Sequence, residues 1–421
     1  MTGLASGMAS RFTVLEAEGR AGGICASYLR DGYRFEIGGG HWIFGGDPAV
    51  RKLMSEASDL RDYRRRSAIL FLGNSAATRA LAGLVVPYPL QENLWALPES
   101  VRRAAYAEIV AGAQRATSFV TMKEWLRERF GETLNAVFFE PFHARYTADL
   151  YREIAPEDAY KTPMDLERVR TGMREKNEDS GYNAAFLYPV EGLDRVGTWM
   201  AERCDMRFGS RVTRIDASVL VLADGRELPF ERAIATAPLD RVIEMMHLRA
   251  VAGEPDPHTS VMVLNLGVTT PDTPLARAGY HWLYVPDSTS GFHRIGYYSN
   301  VDSRFLPTAV RDDPAQASLY VETAFPGGTR LPVDERERIS NAIIRELKSS
   351  GLIDEVRTAH ATWIDTAYTW RRAGSTWVER AIAECRARGV EPAGRYGRWR
   401  FQGIAASIRE GLELGAALRT A

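Results

Sequence analysis

Apolar and polar residues alternate along four stretches in the second half of the chain, at 261–268, 281–285, 292–299 and 317–323. A period of two puts successive side chains on opposite faces of a strand, so these stretches, separated by polar turns, predict one antiparallel or mixed sheet. Within 292–299 the alternation places Arg294 on the face opposite His293, flanked by Tyr297 and Tyr298. Shorter strands are expected at 13–15, 33–37, 68–72 and 85–86, and two more over 207–222, closed by a tight turn at Asp224-Gly225. A helical period governs 99–130, where Ala104, Ile109, Ala113, Phe119, Trp125, Leu126 and Phe130 recur, and it extends through 134–142. Further helices are expected at 49–58, 376–388 and 404–417, the last rich in small residues. Segment 85–98 follows neither period. Its prolines, with Tyr88, Gln91, Asn93 and Trp95, suit a rigid wall better than a core element.

A chain of 421 residues buries a sizeable core and divides into two or three domains. Its 53 Lys and Arg against 54 Asp and Glu leave a net charge of −1, which offers no global field for nucleic acid. The basic run at 61–66 reads as a solvated turn. Cys25, Cys204 and Cys385 show no metal-ligand spacing and point to a reducing compartment, and His143, His281 and His293 have no companion acids at ligand spacing, so no metal is expected. No apolar run reaches the roughly 18 residues of a membrane span, and no signal-peptide pattern opens the chain. The expectation is a soluble cytoplasmic protein.

Candidate chemistry gathers in a few places. Strand 13–15 ends in Glu16, and a carboxylate at the end of a parallel strand is placed to bond a ribose. Arg20 and the pair Gly22-Gly23 follow, and glycine backbone can approach a phosphate without a Cβ in the way. Gly38, Gly39 and Gly40 would let backbone lie against a flat ring, with His41 at its edge. Tyr182, Asn183 and Phe186 bring an amide between aromatics and suit a cleft. Arg294 carries fixed donors suited to diphosphate oxygens. At the far end Gly394-Arg395-Tyr396-Gly397 precedes the helix at 404–417, whose amino end can face a phosphate.

The stretch FTVLEAEGRAGGICASY, with Met1-Thr2-Gly3-Leu4 and a small-residue helix at 5–10 before it, resembles the FAD-binding amino terminus of flavoproteins that include protoporphyrinogen oxidases, amine oxidases and UDP-galactopyranose mutases. Such proteins carry a strand and a glycine pair ahead of Gly3. The expectation is therefore a parallel sheet with an unusual first strand, or FAD held more weakly than usual. Residues 130–163 resemble the mutase-type stretch F-G-x-x-L-x-x-x-F-F-x-P-Y-N-x-K-x-W, with Phe142, His143 and Arg145 at its tyrosine, asparagine and lysine and the tryptophan replaced near Tyr146 and Thr147. Residues 394–411 are similar to the family's G-R-x-G-x-W segment, which closes over FAD.

The resemblance implies an α/β fold: a Rossmann-like FAD-binding domain (1–85 and 181–238, closed by 371–421), a helical insert (86–180) and a mixed or antiparallel substrate-domain sheet (239–370). It implies FAD bound by Gly3, Glu16, Arg20, Gly22, Gly23, Gly39, Gly40, Val212, Gly394, Arg395 and Trp399, with His41 beside the flavin. Arg294 and Tyr368 fall at its diphosphate-binding positions, and Tyr88, Asn93, Arg145, Tyr182, Asn183, Phe186 and Tyr297 would line the substrate cleft. The activity implied is a mutase-like isomerisation between pyranose and furanose forms of a nucleotide-linked sugar, through an adduct at N5 of reduced FAD, with NAD(P)H or a reductase as the source of electrons. Two alternatives stand beside it. One is a flavin oxidase or desaturase acting on an amine, porphyrinogen or polyene; the other is a non-catalytic scaffold.

Overall fold

The computed structural model describes Thr2 and residues 12–113, 119–156, 164–177 and 184–420. Gly3, Tyr182, Asn183 and the helix expected at 5–10 lie outside the described residues. The fold is α/β, organised on a mixed sheet of seven strands in the order Val356–Thr369, His258–Thr269, Gln316–Pro326, Arg294–Tyr297, Trp282–Tyr284, Ser67–Leu70, Val85–Pro87. All neighbours are antiparallel except Trp282–Tyr284 with Ser67–Leu70. The last two strands, expected in the nucleotide-binding part, thus join the substrate-side sheet.

Strand parity decides what each face of this sheet does. Met262, Leu264, Ile295, Tyr297, Leu319 and Val321 pack with Ile343 and Leu347 of helix Val333–Ser349; burying each apolar chain contributes about 1.5–3 kcal/mol. The opposite parity carries Arg294, Gly296, Tyr320 and Glu322, with Arg294 paired across to Glu322 and Gly296 to Tyr320. The Tyr320 ring lies where Gly296 would carry a Cβ, which would meet Tyr320 Cζ at 1.9 Å. Gly296→Ala is therefore expected to lower stability by about 1–3 kcal/mol through overpacking, read from the urea unfolding midpoint.

Tyr297, three residues from Arg294, faces the helix side and not the cleft, because an odd offset along a strand reverses the face. The alternation expected between His293 and Arg294 does not operate, since the strand begins only at Arg294. Both side chains reach Glu322.

The Rossmann-like region supplies two parallel pairs, Thr13–Leu15 with Asp205–Arg207 and Ala233–Ala235 with Val390–Pro392. Among the described residues these pairs are separate, and both border one cavity. A three-stranded antiparallel meander over Val212–Ile215, Val219–Leu222 and Glu227–Pro229 adjoins them, with Gly225 at φ +86° in its turn.

The helical insertion comprises Glu99–Ala113, Met122–Leu134, a π-helical turn Asn135–Phe139 and Glu140–Tyr146. Thr121 and Glu124 form a capping box at the start of the second helix. Phe130, Phe138, Phe139, Leu134 and Ile109 bury the insertion against Ile69 and Val86 of the sheet. Segment 85–98 winds into two short 3-10 turns whose amides turn inward: Asn93 is fully buried, donates to Pro89 O at 3.0 Å and accepts from Asn177 N at 3.3 Å. It staples the loop and does not reach the cleft.

Candidate functional site

One cavity of about 3220 Å³ runs from the two parallel pairs, past the Glu16–Cys25 loop and Gly40, to the helical insertion. Ligand pockets commonly hold about 300–1,000 Å³, so it has room for a dinucleotide and a second ligand together.

At the nucleotide end the wall includes Glu16, Arg20, Gly22, Gly23 and Val212. Glu16 Oε1 accepts the Glu18 backbone N–H at 2.9 Å, and Arg20 Nη1 donates to Gly23 O at 2.7 Å, which fixes the loop. Gly22 and Gly23 sit at φ +93° and +56°, left-handed backbone that favours glycine. A Cβ on Gly23 would point into open space, whereas Gly197 of helix Leu193–Ala201 packs against Gly22, its own absent Cβ only 2.9 Å from Gly22 Cα. Gly197 was not among the expected residues; a lone glycine inside a helix was the available signal.

The C-terminal helix Ile404–Thr420 presents its amino end to the same cavity through Gln402, Gly403 and Ile404. Its first N–H groups and dipole favour an anion there. Gly394 and Arg395 also border the cavity. The Arg395 guanidinium donates to Ala367 O at 2.9 Å, lies over the rings of Tyr368 and Phe401 at 5.1 and 4.9 Å, and makes no ion pair among the described residues. Trp399 stands behind this wall, 1% exposed, donating to Trp370 O at 3.1 Å. It packs the loop and does not border the cavity.

Where the cavity meets the sheet, charged groups converge. Arg294 Nη2 lies 2.6 and 2.5 Å from the two oxygens of Glu322 and 3.5 Å from the Tyr368 hydroxyl. Burial alone would raise the Glu322 carboxyl, but the Arg294 guanidinium outweighs it and holds the pKa down at about 2. His41 lines the cavity nearby; burial, reinforced by Arg395, pushes its pKa down to about 4, so its imidazole is neutral at pH 7.

The space beside the three glycines before His41 is taken by side chains of the protein itself. A Cβ on Gly38 would strike the His41 ring at 2.4 Å, one on Gly39 would meet Glu322 Oε1 at 2.9 Å, and one on Gly40 would meet the Tyr320 hydroxyl at 1.9 Å. The missing side chains make room for neighbours that build the polar cluster. Gly40 reaches the cavity wall; Gly39 stays behind it.

Beyond the cluster the cavity becomes aromatic, with Tyr88, Trp125, Phe138, Phe142, Tyr146 and Tyr284 in its wall. Tyr146 sits edge-on to Tyr368, centroids 4.9 Å apart. Arg145, the neighbouring residue on the helix, turns away: it donates to Pro141 O and Ser288 O, both at 3.0 Å, and is not in the wall. The rotation of about 100° per helical residue puts Tyr146 where Arg145 was expected. Phe186, 2% exposed on strand Ala185–Pro189, packs against Trp42 and Tyr63 at 5.3 Å as core. Of the expected residues, Arg294, His41, Tyr368, Tyr88, Arg395 and the Glu16–Gly23 loop thus share one cavity. Asn93, Arg145, Phe186, Tyr297 and Trp399 do not border it.

No group of three or more potential metal ligands occurs among the described residues, and no described helix is long and apolar enough to cross a membrane.

Comparison with known proteins gives the architecture a family. The sequence matches the family described as flavin containing amine oxidoreductase over residues 4–409. A comparison with curated proteins found no match. Among solved structures, reduced UDP-galactopyranose mutase superposes with a TM-score of 0.86 at 22% identity, covering 100% of this chain and 91% of the other. A putative protoporphyrinogen oxidase from Exiguobacterium gives 0.63 at 16%, covering 100% and 96%, and putrescine oxidase bound to putrescine gives 0.61 at 16%, covering 100% and 97%. With its Rossmann-like pairs, helical insertion and mixed sheet, this chain belongs to the flavin containing amine oxidoreductase family.

Proposed function

We propose that the protein is an FAD-dependent isomerase that interconverts pyranose and furanose forms of a nucleotide-linked sugar. The observation that carries this reading is the position of Arg395, Arg294 and Tyr368, which sit together between the nucleotide end of the cavity and its aromatic end. FAD is the family's cofactor, and the residues present fit it: the open space over Gly23, the helix amino end at Gly403 and the carboxylate of Glu16 face one continuous cavity. Glu16 would take the ribose, the 404–420 helix and the glycine loop the pyrophosphate, and Gly40 with His41 the flavin side.

Bound in reduced form, FAD supplies a nucleophilic nitrogen for the anomeric carbon. The chain's own residues would then act on the leaving diphosphate. Arg395 and Arg294 place guanidinium donors toward it, with the Tyr368 hydroxyl between them, and such fixed charges need no reorganisation as negative charge develops. The neutral His41 adds no competing cation. Tyr88 and Tyr284, side by side in the wall with centroids 4.7 Å apart, offer ring faces to a nucleotide base.

A second reading, an oxidase or desaturase of an amine, porphyrinogen or polyene, draws support from two features. Trp125, Phe138 and Phe142 make the outer wall apolar, and Glu322 neutralises Arg294.

Incubation of the FAD-loaded protein with UDP-, GDP- and TDP-hexoses, with and without dithionite, separates the readings. Ring-isomerised sugar nucleotide should form only after reduction. Oxygen-dependent peroxide release from an amine or porphyrinogen, without sugar turnover, would instead establish the oxidase. A protein that never acquires the two-band flavin absorbance would leave only the scaffold.

A further inference from the structure

His293 is a buried polar side chain that the proposed chemistry leaves without a task. It immediately precedes strand Arg294–Tyr297, is 1% exposed and contributes to the cavity wall. Its backbone is fixed on both sides, the N–H donating to Glu322 O at 3.0 Å and the carbonyl accepting from Val285 N at 2.9 Å. The ring is held between those of Phe142 and Tyr146, at 6.0 and 5.5 Å. Nε2 lies 3.6 Å from Glu322 Oε2, longer than a hydrogen bond, and neither ring nitrogen has a hydrogen-bond partner among the described residues.

A buried polar group left unpaired costs about 1–3 kcal/mol, and native structures contain few of them. A phenylalanine would fill the same space among these aromatics without that cost. The Glu322 carboxylate favours the tautomer with its N–H on Nε2, which leaves Nδ1 a lone-pair acceptor. Burial lowers the imidazole's pKa and keeps the ring neutral, so the acceptor is present at pH 7.

We infer that His293 contacts the substrate directly, accepting a hydrogen bond from a sugar hydroxyl at Nδ1, while the rings of Phe142 and Tyr146 hold the orientation of its own. The inference rests on the nucleotide-sugar reading and deepens it: it assigns the sugar, and not the nucleotide, to the rim formed by Phe142, Tyr146 and His293. His293 is then a specificity residue, because a ligand lacking the hydroxyl leaves the imidazole unpaired.

The test is calorimetric titration of the FAD-loaded protein with UDP-galactose and, separately, with UDP, which lacks the sugar. His293→Phe keeps the ring shape without nitrogen, and His293→Gln keeps a hydrogen-bonding amide. His293→Phe should bind UDP-galactose about tenfold more weakly and UDP unchanged, with His293→Gln in between and the flavin spectrum of both variants intact. Equal affinity for UDP-galactose in wild type and His293→Phe overturns the inference, as does equal weakening for both ligands, which marks a packing defect. A wild type that binds neither ligand overturns the nucleotide-sugar reading, and the inference with it.

Discussion

Replacing Glu322 by glutamine is expected to cost about 3 kcal/mol of folding stability at pH 7. The substitution keeps the shape but leaves the Arg294 guanidinium, whose side chain is 21% exposed, without its carboxylate. Removing one partner of a buried pair strands the other charge, which is why breaking such a pair costs more than the pair contributes. The same interaction holds the Glu322 carboxyl down at about 2, against about 4.3 for an ordinary glutamate. Because the folded-state pKa is depressed, this contribution is complete above about pH 4.3 and is lost as pH falls toward 2. Urea unfolding of wild type and Glu322→Gln should therefore differ fully at neutral pH and converge in strong acid. His281, pushed down to about 4 by burial with no contribution from Glu322, weakens both proteins alike between about pH 6.5 and 4 and cancels in the difference. Glu322 raises the pKa of His41, so part of the difference between about pH 6.5 and 4 belongs to His41. An equal gap at pH 2 and pH 7 would show that packing, and not charge, makes the contribution.

Arg294→Ala is expected to lower kcat/KM for the sugar nucleotide by about 30- to 1,000-fold, or roughly 2–4 kcal/mol of transition-state stabilisation. Flavin absorbance should survive, because the Glu16 loop with its glycines and the C-terminal helix are the groups assigned to the cofactor. Arg294→Lys should recover only part of the activity, since an ammonium supplies charge without the fork. Arg294→Ala also strands Glu322 in the sheet, so a loss of stability accompanies the loss of rate. The double variant Arg294→Ala with Glu322→Gln separates the two effects. It should regain stability and stay slow; recovery of turnover would show that Arg294 acts only as a counter-ion. Release of FAD by Arg294→Ala with normal turnover on added cofactor would move Arg294 from the substrate to the cofactor.

Much of the fold was legible from period alone. His258–Thr269, Gln316–Pro326, Pro48–Ala57, Trp377–Arg386 and Ile404–Thr420 fall where alternation or helical spacing places them. Strand Val356–Thr369 did not stand out, because it is an edge strand in which polar threonines occupy buried positions beside alanines, which blurs the two-residue alternation of apolar and polar types. Within the site, single residues with unusual chemistry in their segment, such as Arg294 and Arg395, were readable. Their partners were not. Glu322 looks in sequence like the polar half of an alternating strand, and only the register that sets it opposite Arg294 makes it part of a buried cluster. The errors at Tyr297 and Arg145 share one origin, since a residue close to a functional position in sequence faces elsewhere once strand parity or helix rotation is applied. At Gly38–Gly40 the composition rightly signalled close approach, but the approaching groups are His41, Glu322 and Tyr320.

The central claim is that this cavity holds a nucleotide diphosphate against Arg395, Arg294 and Tyr368, between the FAD end and the aromatic wall. A crystal structure of the FAD-loaded protein soaked with UDP tests it most directly. The account predicts diphosphate oxygens within about 2.7–3.2 Å of guanidinium nitrogens of Arg395 or Arg294, with uracil against the rings of Tyr88 or Tyr284. A diphosphate bound elsewhere, with Arg294 and Arg395 both beyond about 10 Å, roughly a Debye length at 0.1 M salt, would contradict it.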